Sequence, residues 1–318
     1  MRARLGPALV LLLAVGLLGG CGGSNESITS LESPGAPSAA VEQREVSAVL
    51  AATPDLVDDG EFERPDEFSM SLGSPEALAA IRPLRWWRVI NDVERRFEFA
   101  FADTDTTGRP TTAVVTIHKH LRGTFNIAAV APPSDEALTG GPMPRPDSAQ
   151  IIRKPLADHW VRRVLLKRVR LTPAGSPVWR AVASSGVDVV SRGATTDIKS
   201  LRVQAGPLDT TITDPLAFWW LRRMIRVQAD SPVTLTVETG RDDDVVVLMS
   251  RGGRFPFRNN GDGTYSGVWR APYLAGIRHV GVNALSRGTL FDDAAPYDSE
   301  AWILPYLVVG EPIAEYLP

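Results

Sequence analysis

The stretch Arg96-Phe97-Glu98-Phe99-Ala100-Phe101 decides the fold class, because its aromatic side chains fall on every second position. Successive side chains of a β-strand point to opposite faces, so this spacing predicts an extended strand with one buried face. We expect Phe97, Phe99 and Phe101 to share that face. The stretch belongs to a longer extended segment predicted over residues 84–102.

Runs rich in Val, Ile and Thr, separated by turn sequences, predict further strands in the first half of the chain. A turn over residues 103–108 and a second turn at Arg122-Gly123 give an antiparallel meander. Ser74-Pro75-Glu76 predicts the start of a short helix, because Ser is a good N-cap and Pro fits the first turn. An open barrel and a curved sheet both fit this part. Its predicted strands are residues 84–102, 111–121, 124–130, 159–171 and 178–191.

The second half of the chain shows strands at shorter spacing. Seven or eight strands in about 110 residues, with no cysteine among them, are typical of an immunoglobulin-like β-sandwich. We therefore expect a mostly β protein, in which an antiparallel β-rich domain with a short helix precedes such a sandwich. The predicted strands are residues 198–204, 224–228, 233–239, 245–250, 254–258, 264–270, 278–285 and 301–309.

One hairpin carries a resemblance to a known class of module. The run Asn260-Gly261-Asp262-Gly263-Thr264-Tyr265-Ser266, followed by Trp269 and Ala271-Pro272, resembles the hairpin of bacterial immunoglobulin-like modules. The strand Val233-Thr234-Leu235-Thr236-Val237 is similar to their second strand. This resemblance implies a fold and brings no catalytic residues.

The amino terminus has the layout of a secretory signal. Arg2 and Arg4 precede an apolar run over residues 9–18, which is too short to cross a bilayer because a spanning helix needs about 20 residues. Leu18-Gly19-Gly20-Cys21 resembles the lipobox of bacterial lipoproteins, and the whole chain is similar to such proteins. The resemblance implies cleavage before Cys21 and acylation of Cys21, as with palmitate. Gly22 after the cysteine implies the outer membrane.

These features divide the chain into five predicted parts. Ser, Pro, Ala and Glu dominate the segment after the lipobox, and this composition favours disorder, with a short helix over residues 41–52 as the alternative. The parts are a signal peptide (1–20), a disordered tether (21–72), the antiparallel β-rich domain (73–195), the sandwich (196–310) and a tail (311–318).

Charge and cysteine content narrow the function classes. The 318 residues carry a net charge of −3, and removal of residues 1–20 with Arg2 and Arg4 leaves −5. A nucleic-acid-binding protein favours a basic face, so this balance argues against nucleic acid as a partner. Cys21 is the only cysteine, so the chain forms no internal disulfide.

Acidic residues concentrate in three loops of the predicted sandwich. If its strands alternate in direction, these loops share one end, and converging carboxylates are ligands for calcium. The alternative is that the acids serve turns and solubility, since no spacing matches a known calcium loop. The candidate ligands are Asp242, Asp243, Asp244, Asp262, Asp292, Asp293 and Asp298.

Basic residues concentrate on the strand predicted at 159–171. On one face they would form a stripe that binds anionic glycan or lipid head groups. Cross-strand pairing with Glu94, Glu98 and Asp158 is the alternative interpretation. The candidate stripe comprises Arg162, Arg163, Lys167, Arg168 and Arg170.

Two further patterns involve histidine and tryptophan. His118 and His120 lie two positions apart, so a strand points both to one side, where they could chelate a metal or form a solvated face. In Trp86-Trp87 and Trp219-Trp220, one residue of each pair is expected in the core. The other would cover a domain junction or stack on a sugar ring.

The sequence contains no pattern that supports catalysis. It has no Gly-Xaa-Ser-Xaa-Gly motif, no phosphate-binding glycine loop and no thiol besides Cys21. We therefore expect a lipid-anchored envelope protein that binds or scaffolds, without catalysis, a protein or glycan partner. The alternative is a carbohydrate-binding protein or a glycan-acting enzyme with its site in the first β domain.

Overall fold

The computed structural model describes residues 39–57, 62, 67–69, 79–131, 149–171, 175–250 and 253–310. Within these residues the protein is mostly β and antiparallel, which confirms the predicted fold class. The signal peptide, Cys21, the tail and the predicted helix start at Ser74 lie outside them.

The described helices are α1 (Ala39–Ala51), α2 (Pro54–Val57) and α3 (Arg287–Phe291), with a 3₁₀ turn at Leu221–Arg223. The described strands are β1 (Glu67–Ser69), β2 (Arg82–Thr104), β3 (Pro110–Val130), β4 (Gln150–Val169), β5 (Val178–Ser191), β6 (Ser200–Ala205), β7 (Leu208–Ile212), β8 (Trp219–Trp220), β9 (Arg226–Gln228), β10 (Pro232–Glu238), β11 (Val245–Ser250), β12 (Gly253–Pro256), β13 (Arg258–Asn259), β14 (Thr264–Arg270), β15 (Gly276–Leu285) and β16 (Ser299–Val309).

The described strands form two sheets. The main sheet has the order β1-β2-β3-β4-β5-β16-β15-β11-β12, with β8 on β5 and β9 on β16. The second sheet has the order β13-β14-β10-β6-β7. Of the described pairings, that of β9 with β16 is parallel and the others are antiparallel.

One pairing joins the two halves of the chain. Residues 187–190 of β5 pair with residues 300–303 of β16, so the main sheet continues from the first half into the second. The domain boundary predicted at 195/196 falls in the coil between β5 and β6. The sheet itself is not interrupted at this boundary, because the last strand of the chain returns to pair with β5.

The two sheets share one buried core. Leu235 and Val237 of β10 pack in the same cluster as Val282 of β15 and Trp302 of β16. Their alternation along each strand places these side chains on the inner face of each sheet. This two-layer packing agrees with the predicted sandwich, and its immunoglobulin-like class remains a prediction.

The other face of the main sheet is concave. Trp86 of β2 and Phe125 of β3 pack in one cluster with Val247 of β11 and Leu285 of β15, although β2 and β11 lie near opposite ends of the strand order. The sheet must curl for these side chains to meet. The strands at the two ends of the order, β1 and β12, also contact each other. This curvature agrees with both predicted shapes, the open barrel and the curved sheet.

The turn predicted at Arg122-Gly123 is wrong. Residues 110–130 form the single strand β3, and the register against β2 shifts between Ile90 and Asp92. A Cβ on Gly123 would lie 1.9 Å from the carbonyl oxygen of Val89. This glycine permits the close approach of two backbones at a β-bulge. In the sequence alone, a glycine after Arg122 predicts a turn instead.

The predicted disordered tether is also wrong over part of its length, because α1 is docked on the sheet. Val46 and Leu50 of α1 are buried against β3, β4 and β5. Glu42, on the same stripe, accepts hydrogen bonds from Arg168 Nη2 at 2.6 Å and Trp179 Nε1 at 2.9 Å. Arg109 Nε donates to its other oxygen at 3.0 Å. A carboxylate in the buried stripe breaks the apolar pattern, which explains why composition favoured a tether.

We expect Glu42→Gln to destabilise the protein by about 1.5–3 kcal/mol, because Arg168 and Arg109 lose their buried carboxylate and keep only the half-exposed carboxylate of Glu45. Equilibrium unfolding in urea measures this loss. Glu45→Gln is the matched control on the same helix: Glu45 is half-exposed, and its loss should cost below about 1 kcal/mol. Equal effects of the two changes would contradict the structural role assigned to the buried Glu42 carboxylate.

We expect Gly123→Ala to destabilise the fold by about 1–3 kcal/mol or more, because the added methyl group collides with backbone that cannot rotate away. Gly310→Ala is the control, since no atom lies within 4 Å of a Cβ built there. Thermal melting compares the two variants. A Gly123→Ala protein as stable as the parent would refute the close approach.

Candidate functional site

A groove of about 620 Å³ opens beside the loop between β14 and β15. This volume is in the range of ordinary ligand sites. Its wall includes Trp269 of β14 and Tyr306 of β16, whose rings meet edge to face with centroids 5.1 Å apart at 82°. Trp269 is nearly buried and also belongs to the core between the sheets. The groove is therefore built on rigid strands.

Large apolar side chains line this groove and remain open to solvent. Tyr273 is 81% exposed, Val268 69%, Leu274 68% and Phe255 48%. Scattered exposed apolar residues are normal, but a contiguous group around a concavity marks an interaction site. Phe255 comes from β12, and the others from β14 and its following loop.

Two arginines give the groove a positive rim. Arg278 donates to the carbonyl oxygens of Ile277 at 3.2 Å and Leu274 at 3.5 Å, which holds the loop beside β15. Arg270 donates to the carbonyl oxygen of Asp230 at 2.6 Å and also lies 3.5 Å from the Asp230 carboxylate, which offsets part of its charge. None of the described residues that line the groove is Asp or Glu. The groove thus suits a ligand that has apolar groups and a negative charge.

The three acidic loops do meet, but several of their carboxylates have other partners. Asp243 forms a hydrogen-bonded ion pair with Arg241 at 3.0 Å, which holds the pKa of Asp243 below its ordinary value. Asp262 accepts from the backbone and hydroxyl of Thr264 within its turn, and this lowers its pKa. Asp242 contributes a carbonyl oxygen that accepts from Asn259 Nδ2.

Asp244 is buried, and desolvation raises its pKa, although Arg241 lies 3.6 Å from Oδ1. Asp298 accepts from the backbone nitrogens of Thr195 and Thr196 at 2.9 and 3.2 Å. Across the described parts of the chain, no group of three or more His, Cys, Asp or Glu residues is placed to hold a metal ion. The structure gives the calcium prediction no support.

The remaining two acids of that set lie near a buried lysine. Lys154 Nζ donates to the carbonyl oxygens of Gly288 at 2.9 Å and Asp292 at 2.6 Å. Burial lowers the pKa of Lys154 to about 8, and the charges of Asp292 and Asp293 oppose this effect. Asp292 also accepts backbone hydrogen bonds within its own turn. These acids have a local structural role.

The basic residues of β4 do not form one stripe. The side chains of Arg162 and Arg168 are buried on the face that α1 and α2 cover, and Arg162 donates to the carbonyl oxygen of Leu56 at 2.7 Å. Arg163 lies over the ring of Phe218 at 4.8 Å, on another contact. Lys167 and Arg170 are exposed. The alternation of the strand separates these charges. Arg168 pairs with Glu42 and Glu45 of α1, which the cross-strand alternative did not include.

The predicted histidine pair gains a third member from β4. His159 stacks on His120 with ring centroids 4.5 Å apart, and its Nε2 lies 3.1 Å from His118 Nδ1. Burial and the two neighbouring histidines lower the pKa of His159. The rings are nearly parallel, so their nitrogens do not converge on one point. This cluster is a stack, and it lacks the geometry of a metal site.

The tryptophan pairs follow the predicted division. Trp86 is fully buried, whereas Trp87 is partly exposed beneath Arg85. Trp219 packs against the inter-sheet core, and Trp220 is 45% exposed. Both residues form β8, which pairs with β5.

Three further acids, Asp158, Asp188 and Glu300, have raised pKa values. Burial raises the pKa of Asp158 to about 6, and Arg88 opposes this rise. The cavity that Asp158 lines has a volume of only about 10 Å³, room for no more than one water molecule. Burial likewise raises the pKa of Asp188 to about 6 and of Glu300 to about 7. Both oxygens of Glu300 accept hydrogen bonds, from Ile198 and Trp302.

Sequence reasoning did not single out Phe255, Tyr273, Leu274 or Arg278. The available signal was the run Pro272-Tyr273-Leu274, in which large apolar residues follow a strand inside a loop. Its neighbours in the groove come from distant segments, so only the fold brings them together.

No family model, curated protein or solved structure matches the chain. Along the parts of the chain that the structure describes, no helix has the length and apolar character needed to cross a membrane. A function must therefore be argued from the chemistry of the sites themselves.

The buried acids generate a pH prediction. The pKa of Asp188 is higher in the folded than in the unfolded chain, so its ionisation reduces stability as pH rises from about 4 to about 6. We expect Asp188→Asn to raise the free energy of unfolding by about 1–2 kcal/mol at pH 8 and to change little near pH 4, allowing for partial solvation. Urea unfolding at both pH values measures this.

Asp298→Asn is the control of opposite sign. Burial opposes ionisation of Asp298, but its hydrogen bonds from Thr195 and Thr196 outweigh burial and lower the pKa. Ionised Asp298 therefore stabilises the fold above about pH 4, and this stabilisation is lost as pH falls through the lowered pKa. Asp298→Asn should therefore destabilise at pH 8 by about 1–3 kcal/mol. A stabilising Asp298→Asn, or a destabilising Asp188→Asn, at pH 8 would refute these assignments.

Proposed function

We propose that this chain is a lipid-anchored protein of the cell envelope that binds a protein partner, without catalysis, in the groove around Tyr273. The observation that carries the proposal is the exposure of Tyr273, Leu274 and Val268 around a concavity with a positive rim. Trp, Tyr and Arg are the residues that dominate binding energy in protein interfaces.

The anchoring part of the proposal rests on the amino-terminal sequence. A basic start, a short apolar run and small residues lead to Cys21. Acyl chains contribute about 0.8 kcal/mol per buried methylene, so several chains on one cysteine would hold the protein at a membrane. The outer membrane is the compartment favoured by Gly22.

The shape of the groove favours a protein over a glycan. Sugar rings stack on exposed, coplanar aromatic rings, whereas Trp269 is nearly buried and stands edge-on to Tyr306. The exposed aliphatic side chains of Val268 and Leu274 offer little to a polar sugar. A segment with apolar side chains and a carboxylate satisfies both the apolar wall and the two arginines.

Catalysis finds no support in the geometry of the first domain. The buried acid Asp158 lies in a cavity too small for a substrate. In the groove, the described lining residues include no Asp or Glu, whereas glycoside hydrolysis uses a pair of carboxyl groups. This supports binding over the glycan-acting alternative.

Anchoring is tested with a clickable fatty acid fed to cells that produce the full chain. We expect label on the chain, a mature mass that begins at Cys21, and complete loss of label in Cys21→Ser. Ser24→Ala serves as control, because it keeps the lipobox and should be labelled normally. An unlabelled parent chain with an unmodified thiol would exclude the anchor.

Partner binding is tested by photocrosslinking in cells. A photoreactive phenylalanine analogue replaces either Phe255 or Trp220 of the full chain, and the cells are then irradiated. Both positions are aromatic and similarly exposed, at 48% and 45%, but only Phe255 lines the groove. We expect a discrete protein adduct from position 255 alone. Tyr273→Ala or Arg278→Glu should lower the yield of this adduct several-fold, because each removes a contact at the interface. Arg278→Lys keeps the positive charge and should keep the yield.

Equal adducts from both positions would contradict the groove as the binding surface. Crosslinking to glycan in place of protein would contradict the proposed partner class. The melting temperature of Tyr273→Ala should equal that of the parent, since this side chain is almost fully solvated, and this separates lost binding from lost folding.

A further inference from the structure

The outer edge of β2 is a second surface that the groove does not explain. The described strand β1 pairs with β2 only at residues 85–87, and no other described strand lies along its outer edge as far as Thr104. Such an edge presents backbone N–H and C=O groups at the spacing that a further strand requires. Natural edges are usually short or covered, and this one is long.

The side chains of this edge are exposed on both faces. On the concave face Val93 and Phe97 are 41% and 42% exposed, and Phe97 stacks on Phe99 with centroids 6.5 Å apart. On the other face, Arg96 and Glu98 form an exposed ion pair at 3.2 Å. The concave face is therefore apolar apart from Arg95, and the other face carries both signs of charge.

We propose that two copies of this chain associate by antiparallel pairing of their β2 edges, with Phe97 of one copy opposite Phe97 of the other. Directly opposed residues in a ladder must point to the same face. In a symmetric antiparallel pair, each possible register is therefore centred on one residue that opposes itself. The charges of β2 then decide among these registers.

The register centred on Phe97 is self-complementary. It places Arg96 of each copy opposite Glu98 of the other, and Val93 opposite Phe101. Opposed charges of unlike sign stabilise a ladder, and like charges destabilise it. Registers centred on Arg95, Arg96 or Glu98 oppose identical charges at their centre. The β-bulge at residue 91 limits the regular ladder of the Phe97 register to residues 92–102, the same length as residues 94–104 in the Phe99 register. The Phe99 register opposes Arg95 to Asp103, but Asp103 has a φ of 51° and its carboxylate already accepts a hydrogen bond from Thr112. Both ion pairs of the Phe97 register lie within the regular strand.

Single cysteines placed on β2 of the full chain test this register directly. Opposed Cα atoms lie about 4.5–5.5 Å apart, within the range that a disulfide bridges. In Phe97→Cys the two new thiols face each other. In Val93→Cys, on the same face and equally exposed, they are about 27 Å apart, from eight residues at about 3.4 Å each.

We expect mild oxidation of the protein, extracted in detergent, to convert most of Phe97→Cys into a covalent dimer on non-reducing gels. Val93→Cys should give no more dimer than the parent chain, which contains Cys21 alone. Dimer yield from Phe97→Cys that does not exceed that of Val93→Cys would overturn the proposal. Preferential crosslinking of Phe99→Cys would overturn the register.

Charge exchange provides the second test, in the Phe97→Cys chain. Arg96→Glu puts like charges opposite one another and should reduce the dimer yield at least fivefold. The double exchange Arg96→Glu with Glu98→Arg restores unlike pairs and should restore the yield. Because both side chains are exposed, neither change threatens folding. A double exchange that remains as defective as Arg96→Glu would exclude the specific pairing.

Discussion

The pairing of β5 with β16 is the interaction on which the rest of the structure depends. Four residue pairs at this seam convert two groups of strands, far apart in sequence, into one main sheet. Trp302 and Leu304 of β16 face the core shared with the second sheet, and Ala301 and Ile303 face Val187 and Val189 on the concave side. The strand is thus buried on both faces, and separating it from β5 would expose both cores at once.

The packing around this seam also determines which charged side chains and surfaces remain available to a ligand. Several charged residues near the curved sheet have structural roles. Glu42 and Arg168 pair to hold α1 on the sheet, and Lys154 donates to the turn around Asp292. Burial costs of this kind are compensated only when the partners stay in place. The packing does not use the groove beside Tyr273 or the edge of β2, and these are the surfaces where we propose recognition. Both sit on strands of a rigid body, which favours binding through preformed surfaces.

The period-two pattern was sufficient to predict most strands, because alternation is a local property of the chain. β5, β11 and β14 have the predicted bounds, and Ala113, Val115 and Ile117 are buried together. What failed depends on distant partners. In the sequence, Gly123 predicts a turn, because the backbone of Val89 that lies against it comes from another strand. Glu42 predicts an exposed position, because its partner Arg168 is brought to it only by the sheet. The groove escaped prediction for the same reason, since Phe255 and Tyr306 meet only after the sheets form. The continuity across residues 195/196 likewise requires knowledge of where β16 returns.

Native-state hydrogen exchange tests the central claim, a single cooperative body joined at the β5–β16 seam. Amide protection reports the free energy of the opening that exposes each hydrogen bond. The account predicts that amides of β5 and β16 at the seam exchange only through global unfolding, with the same free energy and denaturant dependence as central amides of β3 and β10. Exchange of β10 and β14 through a separate opening of lower free energy, with β3 still protected, would show two independent bodies and contradict the account.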